Sequence, residues 1–153
     1  MKITEILKPS AILLKQEITS KEQVLDTMLN CLEKAGLLAK PDEARKAVME
    51  REKIMSTGIG KGFALPHGKT NHINETVGAF LTLKHPIDFN SLDQEPVSIV
   101  FMLIGRENTV GTHLRLLSRI SRLMNSDSFR ENILQADTPE QIIEFFTKEE
   151  EDL

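Results

Sequence analysis

Cysteine is nearly absent from this chain of 153 residues, in which Cys31 is the single thiol. One thiol cannot form an internal disulfide framework or a cysteine-based zinc cluster, so both kinds of site are excluded. No apolar run approaches the length that spans a membrane, and no signal-peptide pattern opens the chain. We therefore expect a cytoplasmic protein that does not insert into a membrane.

Positive charge is not in excess either. The chain has 19 Lys and Arg residues against 23 Asp and Glu residues, which gives a formal net charge of -4. Binding to duplex nucleic acid requires clustered Lys and Arg, so nucleic acid is not expected as the main partner. The hydrophobic content of 40% and the charged content of 27% are typical of a soluble globular protein.

No repeat and no linker rich in Pro, Gly or Ser divides the chain, and its length fits one domain. The only low-complexity piece is the acidic run from Glu149 to Asp152. We predict one domain over residues 1–147 and a flexible, solvated acidic tail over residues 148–153.

Three apolar runs predict strands, at residues 11–14, 77–83 and 97–104. The third run, VSIVFMLI, is almost uninterruptedly apolar and rich in β-branched residues, so we predict a central strand that is covered on both faces. Helices must supply that cover.

Capping residues and helical spacing predict the helices. Ser20 caps a helix that ends at Gly36, and Pro41 begins a second helix. The inner face of the second helix is predicted to hold Ala44, Ala47, Val48 and Ile54. Three more helices are predicted at residues 112–124, 128–135 and 139–146. The alternation predicts a single-domain α/β sandwich, with a mixed sheet and helices on both of its faces.

The segment GIGKGFALPHGK, residues 58–69, contains four glycines around a short apolar run. Pro66 fixes one backbone angle directly before His67, and Gly68 leaves room directly after it. The pattern predicts that His67 is held on a stiff, uncrowded support where it can meet a group from outside.

His113 stands at the beginning of the helix predicted at 112–124, on the stripe of its apolar residues. A helix N-terminus disfavours the charged imidazolium and attracts anions, so a neutral His113 could receive phosphoryl oxygens. The alternative is a histidine at the edge of the core whose ring is simply hydrogen-bonded. The other side of the helix carries Arg115, Ser118, Arg119 and Arg122.

Arg51 precedes the glycine-rich segment near the end of the second helix. Its planar guanidinium could bind a phosphate group through two parallel hydrogen bonds. The alternative is an ordinary surface pairing with the adjacent Glu52, which would contribute little.

Two other motifs fail on spacing. The stretch from Gly62 to Thr70 resembles a phosphate-binding Walker A loop, but five residues separate its glycines instead of four, and Pro66 lacks an N–H donor. His67 and His72 are not spaced as a helical zinc pair, and no acidic or thiol ligands accompany them. We therefore predict neither a cofactor nor a metal ion.

Five segments together resemble a known family: Arg51-Glu52, Ser56-Thr57-Gly58-Ile59-Gly60, Ala64-Leu65-Pro66-His67-Gly68-Lys69, Glu95-Pro96-Val97 and His113-Leu114. In this order they resemble the IIA phosphocarrier domains of the bacterial phosphoenolpyruvate-dependent phosphotransferase system, in the fructose/mannitol and nitrogen-regulatory group. The resemblance runs from about Ile3 to Phe146 and is most specific in the central string.

The resemblance implies a phosphotransferase-type carrier with a covalent phosphohistidine intermediate and no cofactor. His67 would accept the phosphoryl group from the phosphohistidine of an HPr-like carrier, on its Nε2 atom. Arg51 would stabilise charge, and His113 would be the second active-site histidine. A IIB domain or a regulated target protein would be the acceptor. The residues that would support the site are Ser56, Thr57, Gly58, Gly60, Pro66 and Gly68.

The chain departs from the family pattern at two places. Val110-Gly111-Thr112 precedes His113 where many relatives carry an acidic residue, and Leu92-Asp93-Gln94-Glu95 replaces the usual Asp-Gly turn. The first departure bears on how His113 is oriented.

Three functions remain open from the sequence. The first is a phosphocarrier that regulates other proteins through its phosphorylation state. The second is a sugar-specific IIA component that passes the phosphoryl group to a IIB domain of the fructose/mannitol type. The third is a binding module that kept the fold and lost phosphoryl transfer.

Overall fold

The centre of the computed structural model, which describes residues 1–152, is a six-stranded mixed sheet. Its strands are β1 (Leu7–Gln16), β2 (Gly58–Gly60), β3 (Phe63–Ala64), β4 (His67–Lys69), β5 (Val77–Ile87) and β6 (Val97–Gly105). The helices are α1 (Ile3–Ile6), α2 (Lys21–Lys34), α3 (Pro41–Ile54), α4 (Val110–Met124), α5 (Asp127–Gln135) and α6 (Pro139–Glu151). Across residues 1–152, every helix is too short or too polar to cross a membrane.

Strand β6 is the strand on which the sheet is assembled. The spatial order is β1-β5-β6-β3-β2, and the short strand β4 also pairs with β6. β5 runs antiparallel to β6, whereas β3 and β4 run parallel to it. All residues of β6 except Ser98 are buried, which confirms the predicted central strand.

Alternate side chains of β6 enter two separate apolar clusters. Val100, Met102 and Ile104 pack with residues of α2 and α3 on one face. Ile99, Phe101 and Leu103 pack on the other face with residues of α1, α4, α5 and α6. The predicted sandwich, with helices on both faces of a mixed sheet, is therefore confirmed.

The helix starts follow their capping residues. The Ser20 hydroxyl accepts a hydrogen bond from the Gln23 N–H at 3.2 Å, and Pro41 occupies the first turn of α3. Gly36, just beyond α2, has a φ of +75°, a left-handed conformation that glycine adopts without strain. These local signals were readable from the sequence because each acts within a few residues.

The predicted solvated tail is wrong for residues 148–151, because α6 continues to Glu151. Glu150 is buried, and its carboxylate accepts hydrogen bonds from the N–H groups of Ile3 at 2.7 Å and Thr4 at 3.1 Å. Arg119 contacts the same carboxylate at 3.4 Å. The first turn of α1 has free N–H groups, and the acidic segment is ordered because it satisfies them. Residue 153 of the predicted tail lies outside the described residues.

The predicted inner face of α3 is wrong at its last position. Ile54 is 79% exposed, whereas Ala44, Val48 and Glu52 are the buried residues of this helix. Their spacing of four residues is one helical turn, and this phase turns Ile54 towards solvent.

Replacing Glu150 by alanine tests the contact between the chain ends. Glu150→Ala leaves two backbone N–H groups without their acceptor, and we expect it to lower the free energy of unfolding by about 1–3 kcal/mol. Glu144→Ala, an exposed position of the same helix, is the matched control. Urea unfolding of the two variants measures the difference, and equal midpoints would contradict the prediction.

Candidate functional site

Pairing with β6 fixes the backbone of the histidine predicted to react. His67 begins β4, where it lies opposite Leu103 of β6. The N–H of Leu103 donates to the Pro66 carbonyl at 3.0 Å, so the residue before the histidine is also held by the sheet. The predicted stiff support is thus a strand paired to the centre of the fold.

Gly68 is required because a helix touches the strand there. A Cβ atom at this position would lie 3.0 Å from the backbone nitrogen of Val48 and 3.1 Å from the carbonyl carbon of Ala47. A larger residue would therefore push α3 away from β4. The close approach matters because α3 carries Arg51, so this glycine sets how near the arginine comes to His67.

The imidazole of His67 has a defined hydrogen bond. Its Nδ1 atom lies 2.8 Å from the Leu65 carbonyl oxygen, and the ring is half-buried. A carbonyl oxygen can only accept, so Nδ1 carries the proton. In the neutral ring Nε2 then has a free lone pair, which is what a nucleophile needs.

His113 lies against His67, as the predicted pair requires. The centroids of the two rings are 5.6 Å apart, with an angle of 57° between their planes. The His113 ring also packs on Gly105 at the end of β6, where a Cβ atom would come within 2.5 Å of Nδ1. The absence of a side chain at Gly105 makes the space for this ring.

The alternative in which His113 is a hydrogen-bonded core histidine requires a partner for its ring within the protein. The side chain is buried, and neither ring nitrogen has a hydrogen-bond partner among residues 1–152. A buried polar group without a partner is uncommon and calls for an explanation. One ring nitrogen of the neutral imidazole carries a hydrogen, so His113 has an N–H donor that no described residue uses.

Both histidines favour the neutral form. Burial, with smaller effects from His67 and Lys69, lowers the pKa of His113 to about 4. Burial also lowers the pKa of His67, against the opposing effect of its hydrogen bond to Leu65, and the positive charge of Arg51 adds to the lowering. At neutral pH both rings are therefore uncharged.

Arg51 lies near the C-terminal end of α3, as predicted. Its guanidinium donates to the Met55 carbonyl at 2.8 Å. No ion pair with Glu52 is present in the described part of the chain, so the surface-pairing alternative is wrong. Its charge is close enough to lower the pKa of His67, and the remaining guanidinium N–H groups can bind an anion there.

Glu52 is a site residue that sequence reasoning missed. It is buried, and its carboxylate accepts hydrogen bonds from the Thr57 N–H at 2.8 Å and the Thr57 hydroxyl at 2.6 Å. Lys21 neutralises it at 2.7 Å. Glu52 therefore fixes the start of the glycine-rich segment to the helix that carries Arg51. Its position four residues after the buried Val48 was the available signal.

The predicted supporting residues hold the glycine-rich segment in place. The Ser56 hydroxyl donates to the Phe89 carbonyl at 2.8 Å and accepts from the Gly58 N–H at 3.0 Å. A Cβ atom at Gly58 would lie 2.5 Å from the Ser91 hydroxyl oxygen. Gly60, with a φ of +123°, begins the turn between β2 and β3.

Residues 5–149 match the family described as phosphoenolpyruvate-dependent sugar phosphotransferase system, EIIA 2. The chain belongs to this family. It is a IIA domain, and family membership gives it a phosphotransferase role as a phosphocarrier.

Relatives of this IIA domain include regulatory and sugar-specific proteins. A nitrogen regulatory protein of Bradyrhizobium diazoefficiens is 36% identical over 87% of this chain and 86% of that protein. The fructose-specific EIIABC component of Bacillus subtilis is 39% identical over 97% of this chain, and the chain spans 23% of that protein's length.

Solved structures agree with the fold of the IIA domain. The nitrogen regulatory protein IIA-Ntr from Neisseria meningitidis has a TM-score of 0.88 and 33% sequence identity, covering 94% of this chain and 98% of that one. IIA mannitol from Escherichia coli has a TM-score of 0.78 at 20% identity, with 91% and 97% coverage, and shares the fold.

Lys69 is a second residue of the IIA domain that sequence reasoning missed. It lies in β4 opposite Gly105, and its charge contributes to lowering the pKa of both site histidines. His72, weighed above as a metal ligand, is exposed, and residues 1–152 contain no cluster of three or more metal-ligating side chains. The side chains that the fold brings together are those of His67, His113, Arg51 and Lys69.

The stability of the IIA domain should depend on pH through His113. Its pKa in the folded state, about 4, lies below the value near 6.5 of an unfolded chain, so the unfolded state binds more protons between these values. The neutral His113 ring therefore makes its full contribution to the free energy of unfolding above about pH 7. That contribution is lost as the pH falls towards 4.

The free energy of unfolding of the unsubstituted protein should fall between pH 7 and pH 4. We expect this fall to be smaller in His113→Gln, by at most about 3 kcal/mol. His72→Gln, which replaces an exposed histidine, is the matched control. Urea unfolding at several pH values measures both. If the free energy of unfolding changes with pH in the same way in the unsubstituted protein and in His113→Gln, the lowered pKa of His113 is refuted.

Proposed function

We propose that this IIA domain accepts a phosphoryl group on the Nε2 atom of His67, from the phosphohistidine of an HPr-like carrier. The observation that carries the proposal is the hydrogen bond between Nδ1 and the Leu65 carbonyl, because it leaves Nε2 with the free lone pair. The low pKa of His67 supports the same conclusion, since an imidazolium could not attack phosphorus.

One phosphorus–nitrogen bond replaces another in this step. The lone pair of Nε2 attacks phosphorus while the bond to the donor imidazole breaks, and its electron pair returns to the donor nitrogen. The proton on Nδ1 stays in place, so the phosphorylated His67 ring becomes positively charged. The Leu65 carbonyl oxygen stabilises that charge. The two bonds are of the same kind, so the transfer is close to thermoneutral and can run in either direction.

Phosphoryl transfer depends on positioning and charge stabilisation more than on covalent chemistry. Arg51 supplies positive charge beside His67, and the buried His113 ring supplies an N–H group for a phosphoryl oxygen. Arg51 and the His113 ring lie beside His67 before the reaction, so they can stabilise charge as it develops.

We propose further that the phosphorylation state of His67 regulates target proteins. The support is the similarity to nitrogen regulatory proteins over most of their own length. The alternative is transfer to a IIB domain during sugar uptake, which the 39% identity to a fructose-specific component supports. The two functions share the chemistry at His67 and differ in the acceptor.

Incubation with phosphoenolpyruvate, Enzyme I and HPr tests the phosphocarrier function. We expect intact mass spectrometry to show one added, acid-labile phosphoryl group, which His67→Ala abolishes because the nucleophile is gone. Absence of an adduct, while a control IIA domain is labelled in the same mixture, would instead support a binding module that lost transfer.

The same assay, followed in time, tests Arg51. We expect Arg51→Ala to slow labelling by about 10²-fold, because the guanidinium no longer stabilises the developing charge. Lys53→Ala removes an exposed cation two residues away and is the matched control. An unchanged rate for Arg51→Ala would remove this arginine from the site.

Discharge of the phosphorylated protein separates the two acceptors. A regulatory carrier should transfer its phosphoryl group slowly or not at all to purified IIB domains of the fructose and mannitol types. Rapid discharge to either would contradict the regulatory function and establish the sugar-transport alternative.

A further inference from the structure

Helix α4 carries an unusual charge distribution on its outer side. It contains three arginines and no Asp or Glu, although the whole chain has more acidic than basic residues. We define the arginine face of α4 as Arg115, Ser118, Arg119 and Arg122. Their spacing of three or four residues places them along one side of the helix, away from the buried stripe.

The arginine face begins next to the candidate site. Arg115 is two residues after His113, and its guanidinium lies over the first turn of α4, where a Cβ atom at Gly111 would be 3.7 Å from both of its terminal nitrogens. Leu114, between the two, is 60% exposed, and Val110 is 49% exposed. Val110 and Leu114 therefore form an exposed apolar patch on the first turns of α4, beside both His113 and Arg115.

The charges of the arginine face are mostly not neutralised within the protein. Among residues 1–152, no carboxylate lies within 4.0 Å of Arg115 or Arg122. Arg119 contacts Glu150 at 3.4 Å, but that carboxylate already accepts hydrogen bonds from two backbone N–H groups of α1. Two full positive charges are therefore available to a partner.

An ordinary protein interface is wide enough to include both His67 and the arginine face of α4. A standard interface covers about 800 Å² of each partner, which corresponds to a circle of about 16 Å radius. Arg122 lies nine residues after His113, about 14 Å along the helix axis. A partner centred on the two histidines thus covers Leu114 and Arg115 and extends towards Arg122.

We propose that the arginine face of α4, with Leu114 beside it, docks an acidic face of the protein that exchanges a phosphoryl group with His67. The inference rests on the proposed phosphocarrier function and adds the charge of its partner. A basic partner face would place like charges opposite each other, which slows association, whereas Asp and Glu side chains would be attracted. A duplex nucleic acid is disfavoured by the net charge of -4.

Two forms of one HPr-like carrier test the proposal. In one form exposed residues around its phosphohistidine are replaced by Glu, and in the other by Lys. We expect the acidic form to phosphorylate the native IIA domain about tenfold faster than the basic form at low salt. Arg115→Glu should abolish this preference, because its negative charge offsets the remaining charge of Arg122, and Arg115→Lys should keep it. At about 1 M salt, where the Debye length is about 3 Å, the preference should disappear.

Lys34→Glu is the matched control, because it changes the net charge equally at an exposed position of α2. Phosphoramidate, a small phosphoryl donor, should label His67 equally in all variants, since it needs no docking surface. Failure of both phosphoramidate and the carrier to label the native protein would sink the phosphocarrier function itself. Normal labelling by phosphoramidate combined with an equal loss of the preference in Lys34→Glu and Arg115→Glu would overturn the docking proposal alone. An unchanged preference in Arg115→Glu, or faster transfer from the basic carrier to the native protein, would overturn it as well.

A short DNA duplex provides the test against a different partner class. We expect no binding to the native protein at physiological salt, by fluorescence anisotropy. Binding that Arg115→Glu abolishes, with no change in carrier preference, would assign the face to a nucleic acid and overturn the proposal.

Discussion

The pairing of the glycine-rich segment with β6 is the interaction on which the site depends. The ladder from His67–Leu103 to Lys69–Gly105 fixes the backbone of His67 against β6, in which every residue except Ser98 is buried. The same strand ends at Gly105, against which the ring of His113 packs. One strand therefore sets the positions of both rings, and their separation is determined by backbone geometry instead of flexible side chains. Such fixed geometry suits the proposed transfer from a partner to His67, because it keeps the His113 ring beside the reacting ring.

The second constraint is the buried carboxylate of Glu52, which joins three parts of the chain. It binds Thr57 at the start of the glycine-rich segment, pairs with Lys21 of α2, and belongs to the helix that carries Arg51. Removing one partner of such a buried pair is costly, because an uncompensated charge remains. Glu52 thus joins the glycine-rich segment to the helix that carries Arg51. The residues that would face a phosphoryl oxygen therefore keep their arrangement when no ligand is bound.

Local signals made much of this structure predictable, and tertiary contacts limited the rest. The apolar run of β6 and the caps at Ser20 and Pro41 act within a few residues, and the motif around His67 is specific to its family. Glu150 was expected in solvent because its partners, the N–H groups of Ile3 and Thr4, lie 147 and 146 residues away in sequence. The His113 ring nitrogens have no hydrogen-bond partner among the described residues, and this depends on every residue packed around the ring. It could therefore not be predicted from a sequence pattern.

The contact of Glu150 with the first turn of α1 has a topological consequence. It holds residues 3 and 4 against residue 150, so the first and last helices of the described chain begin and end close to each other. A short peptide joining the ends would then add little strain, and new ends could be opened at an exposed turn elsewhere, such as the one around Gly36. In a longer polypeptide, segments attached before and after this domain would emerge side by side and leave the rest of its surface uncovered.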